Sequence, residues 1–180
     1  MQHPFRELRR IETRELLICF YDLQGFAKTV REKLNEESTF DLINGLAQAT
    51  IDSLEGSDAF IVKFIGDAAL IVFPGEKADD GMNALLNLKA DLETHLGSAG
   101  LQTRVKFTIH FGSAAIGPFG KEPYETIDVF GDNVNQASLL GRTSAKSTFI
   151  VSPEAFRKLR PETRKRFRRY TPPVVYTAGD

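Results

Sequence analysis

The stretch 59-AFIVKFIGDAALIVF-73 holds two apolar runs, AFIV and ALIVF, on either side of a break that contains Lys63, Gly66 and Asp67. Each run is short and rich in β-branched and aromatic residues, which predicts a buried strand. Two such strands joined by a few residues with a glycine make a hairpin. A plain turn would close it, so a lysine and an aspartate at the break call for a chemical reason.

Upstream, 15-ELLICFY-21 reads as a strand ending at Asp22 and Gly25. A charged helical pattern runs from Phe26 to about Asn35. A second helix follows, capped by Ser38 or Thr39 and carrying Phe40, Ile43, Leu46, Ala47, Ile51 and Leu54 at helical spacing, with Gly56 as its stop. Downstream, Met82, Leu85, Leu86, Leu88, Leu92 and Leu96 mark a helix over 78–96 that Gly97 ends. Then come a strand over 104–117 with a glycine break, a Gly/Pro loop over 117–123 and a strand over 124–130. A helix is predicted over 132–143, a short strand over 148–152 and a last short helix from Pro153; 171-TPPVVYTAGD-180 adds an edge strand. Residues 1–13 read as a helix or linker ahead of one domain over 14–180. Helices alternate with strands, while the hairpin demands antiparallel pairing. The fold class expected is an α/β sandwich with a ferredoxin-like βαββαβ core and extra strands and helices.

Composition narrows the function. The chain has 180 residues, 42% hydrophobic, enough for one sizeable core. A net charge of -1 argues against a protein that tracks a polyanion, and no nucleic-acid partner is expected. Cys19 is the single cysteine, so no disulfide forms within the chain. No apolar run approaches a membrane span, and MQHPFRELRR lacks a secretory apolar region, so the cytoplasm is the expected compartment. His3, His95 and His110 show no zinc spacing, and His110, inside a strand, reads as structural. The basic segment 157–170 reads as a solvated helix face anchored by Phe156, Leu159 and Phe167, because aromatic interleaving is sparse.

In this topology the first strand lies antiparallel to the second hairpin arm. Asp22 ends one and Asp67 begins the other, so both carboxylates reach the same sheet edge. Like charges at that range need a cation between them; hard, oxygen-seeking Mg²⁺ or Mn²⁺ suits them, and a pair of such ions suits phosphoryl chemistry. Either aspartate alone reads as a turn residue or a helix cap. Gly25 and Gly66 let a phosphate approach the backbone closely, and a helix starting near Leu23 offers N–H groups to an anion.

Asp22 in 20-FYDLQGF-26, Lys63 and Asp67 in 63-KFIGD-67, and Asp128, Gly131 and Asn135 in 128-DVFGDNVNQAS-138 together resemble the catalytic domain of class III adenylate/guanylate cyclases, in the family's order and over roughly residues 15–152. The resemblance implies that Asp22 and Asp67, with the Leu23 carbonyl, hold two Mg²⁺ or Mn²⁺ ions per site. It implies that Lys63 and Asp128 read the purine, a pairing that goes with adenine and hence ATP, and that Asn135 orients the ribose. Gly25 and Phe26 are expected among the substrate-binding residues, and Lys106 falls where the family often has a basic triphosphate contact. It also implies a homodimer, metals on one subunit and purine reader on the other. Leu139 stands where the family has an arginine aimed at the α-phosphate. Arg142, one helical turn on, is the candidate replacement; the plainer reading is a surface residue favoured near a helix end by the dipole. The activity implied is adenylate cyclase, slowed by Leu139, with a degenerate nucleotide-binding or dimerising domain as the alternative. A diguanylate-cyclase relative is disfavoured because IGDAA stands where a GG[DE]EF turn would be. Salt-dependent nucleic-acid binding through the basic tail is the remaining competitor.

Overall fold

Burial on both faces decides the central strand. Along β1 (Glu12–Leu23), Leu17, Cys19, Tyr21 and Leu23 pack to one side, Leu16 and Ile18 to the other. The computed structural model describes residues 3–101, 103–142, 147–171 and 173–178, apart from the side chains of Thr29 and Arg31. In it β1 is longer than its apolar run, because Glu12 to Glu15 continue the ladder opposite Ile116 to Ser113.

Two antiparallel neighbours flank β1. On one side lies β3 (Ala68–Pro74), the second arm of the hairpin, with β2 (Phe60–Ile65) outside it; on the other lies β4 (Val105–Phe119). The order β2-β3-β1-β4 is the ferredoxin-like arrangement expected from the sequence. The eight-stranded sheet continues through β6 (Phe149–Val151), parallel to β4, to β8 (Val175–Ala178) and β7 (Phe167–Tyr170). Off this path, β5 (Thr126–Phe130) pairs with the far end of β4. The VVY run thus forms no edge strand. It lies in β8 between β6 and β7, the latter drawn from the basic segment that the sequence suggested was helical. Only the short helices α5 (Pro153–Arg157) and α6 (Pro161–Arg164) precede it, while Leu159 and Phe167 are buried as anchors.

The helices divide between the two faces. Against one pack α1 (Phe26–Lys33), α2 (Glu36–Leu54) and α3 (Ala78–Ser98). On α3 the side chains of Met82, Leu85, Leu88, Leu92 and Leu96 are wholly buried, and full burial of such a residue is worth about 1.5–3 kcal/mol. Gly97 does not end this helix. Gly100, in the left-handed region at φ 72°, does, with Leu101 N–H returning to the Leu96 carbonyl and Gly100 N–H to Gly97. For α2 the cap is Asn35, whose side chain accepts from Ser38 N–H at 2.8 Å. The buried stripe of α2 is Leu42, Leu46, Thr50 and Leu54, while Phe40 and Ile51 lie in solvent. Thr50 is tolerated there because its hydroxyl bonds the Leu46 carbonyl and the Tyr21 hydroxyl.

The other face carries α4 (Asp132–Leu139), the N-terminal 3-10 turn Pro4–Glu7 and a smaller apolar cluster. Gly112 does not break β4 as its sequence suggested. It is a close-approach glycine, since a Cβ there would lie 2.3 Å from Cγ of Asn133 on α4. Among the described residues no helix is long and apolar enough to cross a membrane.

Candidate active site

The β1–β3 ladder brings Asp22 and Asp67 to one corner of the sheet. Tyr21 opposes Ala69, so Leu23, two residues on, reaches Asp67, and Leu23 N–H donates to Asp67 Oδ2 at 3.2 Å. On its other side Asp22 directly opposes Lys106 of β4. Tyr21 and Leu23 point toward the α2–α3 side, so Asp22 projects from the opposite face. Partial burial pushes the Asp22 carboxyl above its ordinary value; Lys106 opposes that push and Asp67 adds to it. Among the described residues no cluster of three or more His, Cys, Asp or Glu forms a metal cage. Two carboxylates and nearby carbonyl oxygen instead make an open, oxygen-only donor set suited to hard divalent ions whose shell a polyphosphate completes.

A backbone irregularity aims Lys63. Phe60 opposes Val72 and Ile61 opposes Ile71, but Lys63 opposes Leu70, with Val62 as the extra residue of a β-bulge. In an unbroken ladder Lys63 would face Ala69 and point at the helices. The bulge turns it to the face that carries Leu70 and Val72, the same face as Asp22. There its Nζ meets Asp128 Oδ2 of β5 at 2.5 Å. Asp128 is buried, and its Oδ1 accepts from Val129 N–H at 2.8 Å. The Lys63 ammonium also lies 5.7 Å from the ring centroid of Phe130.

On α4, Gly131 at φ 152° allows the turn out of β5, and Asn135 is exposed one helical turn in. Leu139 follows it on that surface, also open to solvent. The α-helix stops there and tightens into a 3-10 turn, Leu140–Arg142, which leaves Arg142 exposed at its end. The helical register expected over 132–143 is therefore lost before Arg142, and its last residue lies outside the described residues. Lys106 donates to the Gly141 carbonyl, which ties this turn to the strand opposite Asp22. Gly25 caps α1 at φ 73°, and Phe26 is its first residue. The helix thus starts three residues after Leu23, not at it. His110 is structural: its ring nitrogens engage Ser152 Oγ at 2.9 Å and Asn133 Oδ1 at 3.0 Å.

A family model, "Adenylate and Guanylate cyclase catalytic domain", matches residues 9–173. The chain belongs to that family. An adenylate cyclase of Anabaena cylindrica is 26% identical over 140 residues, which cover 73% of this chain and 28% of that protein. The chain thus spans under a third of that relative's length. The crystal structure of the adenylyl cyclase CyaB from P. aeruginosa superposes with a TM-score of 0.78 at 19% identity, covering 95% of this chain and 96% of that one. The guanylyl cyclase Cya2 gives 0.72 at 22% identity, covering 93% and 92%. These cyclase domains share its mixed α/β fold. Class III cyclases bind nucleotide, work as dimers and generally use divalent metal ions.

Against that family background, three features escaped the sequence reading. The bulge at Val62 has no one-residue signature, because Val62 is as good a strand former as its neighbours. The Gly141 carbonyl is a backbone group and carries no sequence signal at all. Phe119 and Phe130 are exposed on the β4–β5 hairpin with ring centroids 5.1 Å apart. The sequence reading puts Phe119 in the Gly/Pro loop 117–123, whereas it ends β4 and meets Phe130 across the hairpin.

Proposed function

We propose that this domain is an adenylate cyclase that converts ATP to 3′,5′-cyclic AMP and pyrophosphate at the interface of a homodimer. The observation that carries the reading is the Lys63–Asp128 ion pair, 2.5 Å long, turned onto the sheet face that also bears the Asp22–Asp67 corner. Lys63 has only donors, for the ring nitrogens of adenine. Asp128 retains acceptor capacity on both oxygens for the exocyclic amine, since each oxygen carries a second lone pair. Asp22, Leu23 and Asp67 of one copy face the triphosphate, while Lys63, Asp128 and Asn135 of the other hold purine and ribose.

Asp22 and Asp67, with the Leu23 carbonyl, would hold Mg²⁺ or Mn²⁺, which would supply acidity for the 3′-hydroxyl and offset charge on the pyrophosphate. Asn135 holds the ribose so that the 3′-oxygen lies in line with the α-phosphorus. The new bond joins O3′ to that phosphorus, the bond to the β-phosphate oxygen breaks, and the hydroxyl proton leaves to solvent. Gly25 and Phe26 offer backbone N–H groups at the start of α1 to the phosphates. Lys106, beside Asp22, adds positive charge. No protein nucleophile takes part.

Leu139 favours a second reading, a domain that binds nucleotide and dimerises but turns over poorly. A leucine cannot stabilise charge developing on the α-phosphate, and loss of one such donor costs about 10²–10³ in rate. Arg142 as its replacement is the weaker proposal, since the 3-10 turn takes it out of helical register.

The test is product analysis with ATP or GTP and Mn²⁺ or Mg²⁺. Cyclic AMP from the wild type and none from Asp67→Ala supports the cyclase. ATP binding with no product supports the second reading. Preference for GTP would sink the adenine assignment.

A further inference from the structure

Asp128 and Phe130 lie two residues apart on β5, so both project from one face of that strand. The Lys63 ammonium touches both, bonding the carboxylate and sitting 5.7 Å from the ring centroid. Phe119 of β4 packs against Phe130 at 5.1 Å with the rings tilted by 51°. The two aromatics are half in water, Phe130 at 50% and Phe119 at 54% exposure. The open face of the Phe130 ring, braced by Phe119, is an apolar surface with the buried, ion-paired carboxylate at its rim. A purine presents the complementary surfaces: two π-faces, and an edge of donors and acceptors.

We infer that Phe130, backed by Phe119, is the surface on which the purine ring stacks while Lys63 and Asp128 read its edge. This rests on the proposed nucleotide reading and adds a binding residue to it. Phe119 fixes the tilt of the Phe130 ring and does not itself touch the base. Because a π-face is common to all bases, Phe130 contributes affinity for any purine nucleotide, and discrimination stays with Lys63 and Asp128.

The chain contains no tryptophan, so Phe130→Trp creates a single fluorescent reporter at the proposed contact. The probes are 3′-deoxy-ATP, which cannot cyclise, and inorganic tripolyphosphate, which has no base; both are used with Mg²⁺. Quenching of the Phe130→Trp emission by 3′-deoxy-ATP and none by tripolyphosphate is expected. In calorimetry, Phe130→Ala should weaken 3′-deoxy-ATP binding about tenfold and leave tripolyphosphate binding unchanged, with Phe130→Tyr restoring affinity. If the wild type binds 3′-deoxy-ATP but Phe130→Ala binds it within twofold, the stacking role is wrong and the cyclase reading survives. A Phe130→Ala variant that sediments as a different oligomer, or weakens both probes alike, assigns Phe130 to an interface and overturns the inference. A wild type that binds neither probe overturns the nucleotide reading and the stacking role together.

Discussion

The two charged corners of the sheet face are built on opposite electrostatic plans. At the Lys63–Asp128 corner the charges cancel: a buried carboxylate accepts from an ammonium and from a backbone N–H. At the Asp22–Asp67 corner they do not: burial pushes the Asp22 carboxyl above its ordinary value, Lys106, which also donates to the Gly141 carbonyl, opposes that push, and Asp67 adds to it. The first corner is complete within the chain. The second is an open, half-buried set of oxygen donors, and on the proposed reading a divalent ion completes it.

The contrast can be broken most severely at the metal corner. Asp67→Ala should reduce cyclic AMP formation to the uncatalysed background while the circular dichroism of the fold is retained; product from that variant would remove Asp67 from catalysis. Leu139→Arg supplies a positive charge on the α4 face that neither corner provides. It should raise kcat about 10²-fold in steady-state assays, and an unchanged rate would show that Leu139 does not face the α-phosphate.

Smaller effects distinguish the corners by stability. Asp128→Ala should cost about 1.5 kcal/mol in urea unfolding, the low end for a charge-assisted hydrogen bond, because Lys63 keeps part of its hydration. Asp22→Asn should do the reverse. With chelator present it should leave the protein equally stable or more stable by under about 1 kcal/mol, since it removes a charge that partial burial disfavours. Millimolar Mg²⁺ should raise the melting temperature of the wild type and not that of Asp22→Asn. A large loss of stability in Asp22→Asn without metal would mean that this carboxylate is structural.

Much of the fold was legible in the chain because its signals are local. The paired apolar runs around Gly66 announced the hairpin, and the leucine repeat of 78–96 announced α3. The antiparallel neighbourhood of β1 and β3 followed from topology, which already placed Asp22 near Asp67. Misreadings came where a distant partner outvoted local composition. Gly112 looked like a break until Asn133 was seen to occupy the space of its missing Cβ. Basic residues 167–170 looked helical until β8 supplied a ladder for them. Phe40 and Ile51 looked like core, yet the stripe of α2 that packs on the sheet is Leu42, Leu46, Thr50 and Leu54, of which the spacing had picked out Leu46 and Leu54.

The sequence by itself determined the βαββαβ order, because strand and helix periodicity is written one position at a time, and its motifs around Asp22, Lys63, Asp67 and Asp128 carried the resemblance to the family that the chain belongs to. Tertiary structure alone decided which way those residues point. A single extra residue at Val62 moves Lys63 from the helix side of the sheet to the side of Asp22 and Asp128, and a side-chain period of two makes that one-residue slip a change of face. The same holds for Phe130, whose exposure beside Lys63 depends on the pairing of β5 with β4 and on no property of the residue itself.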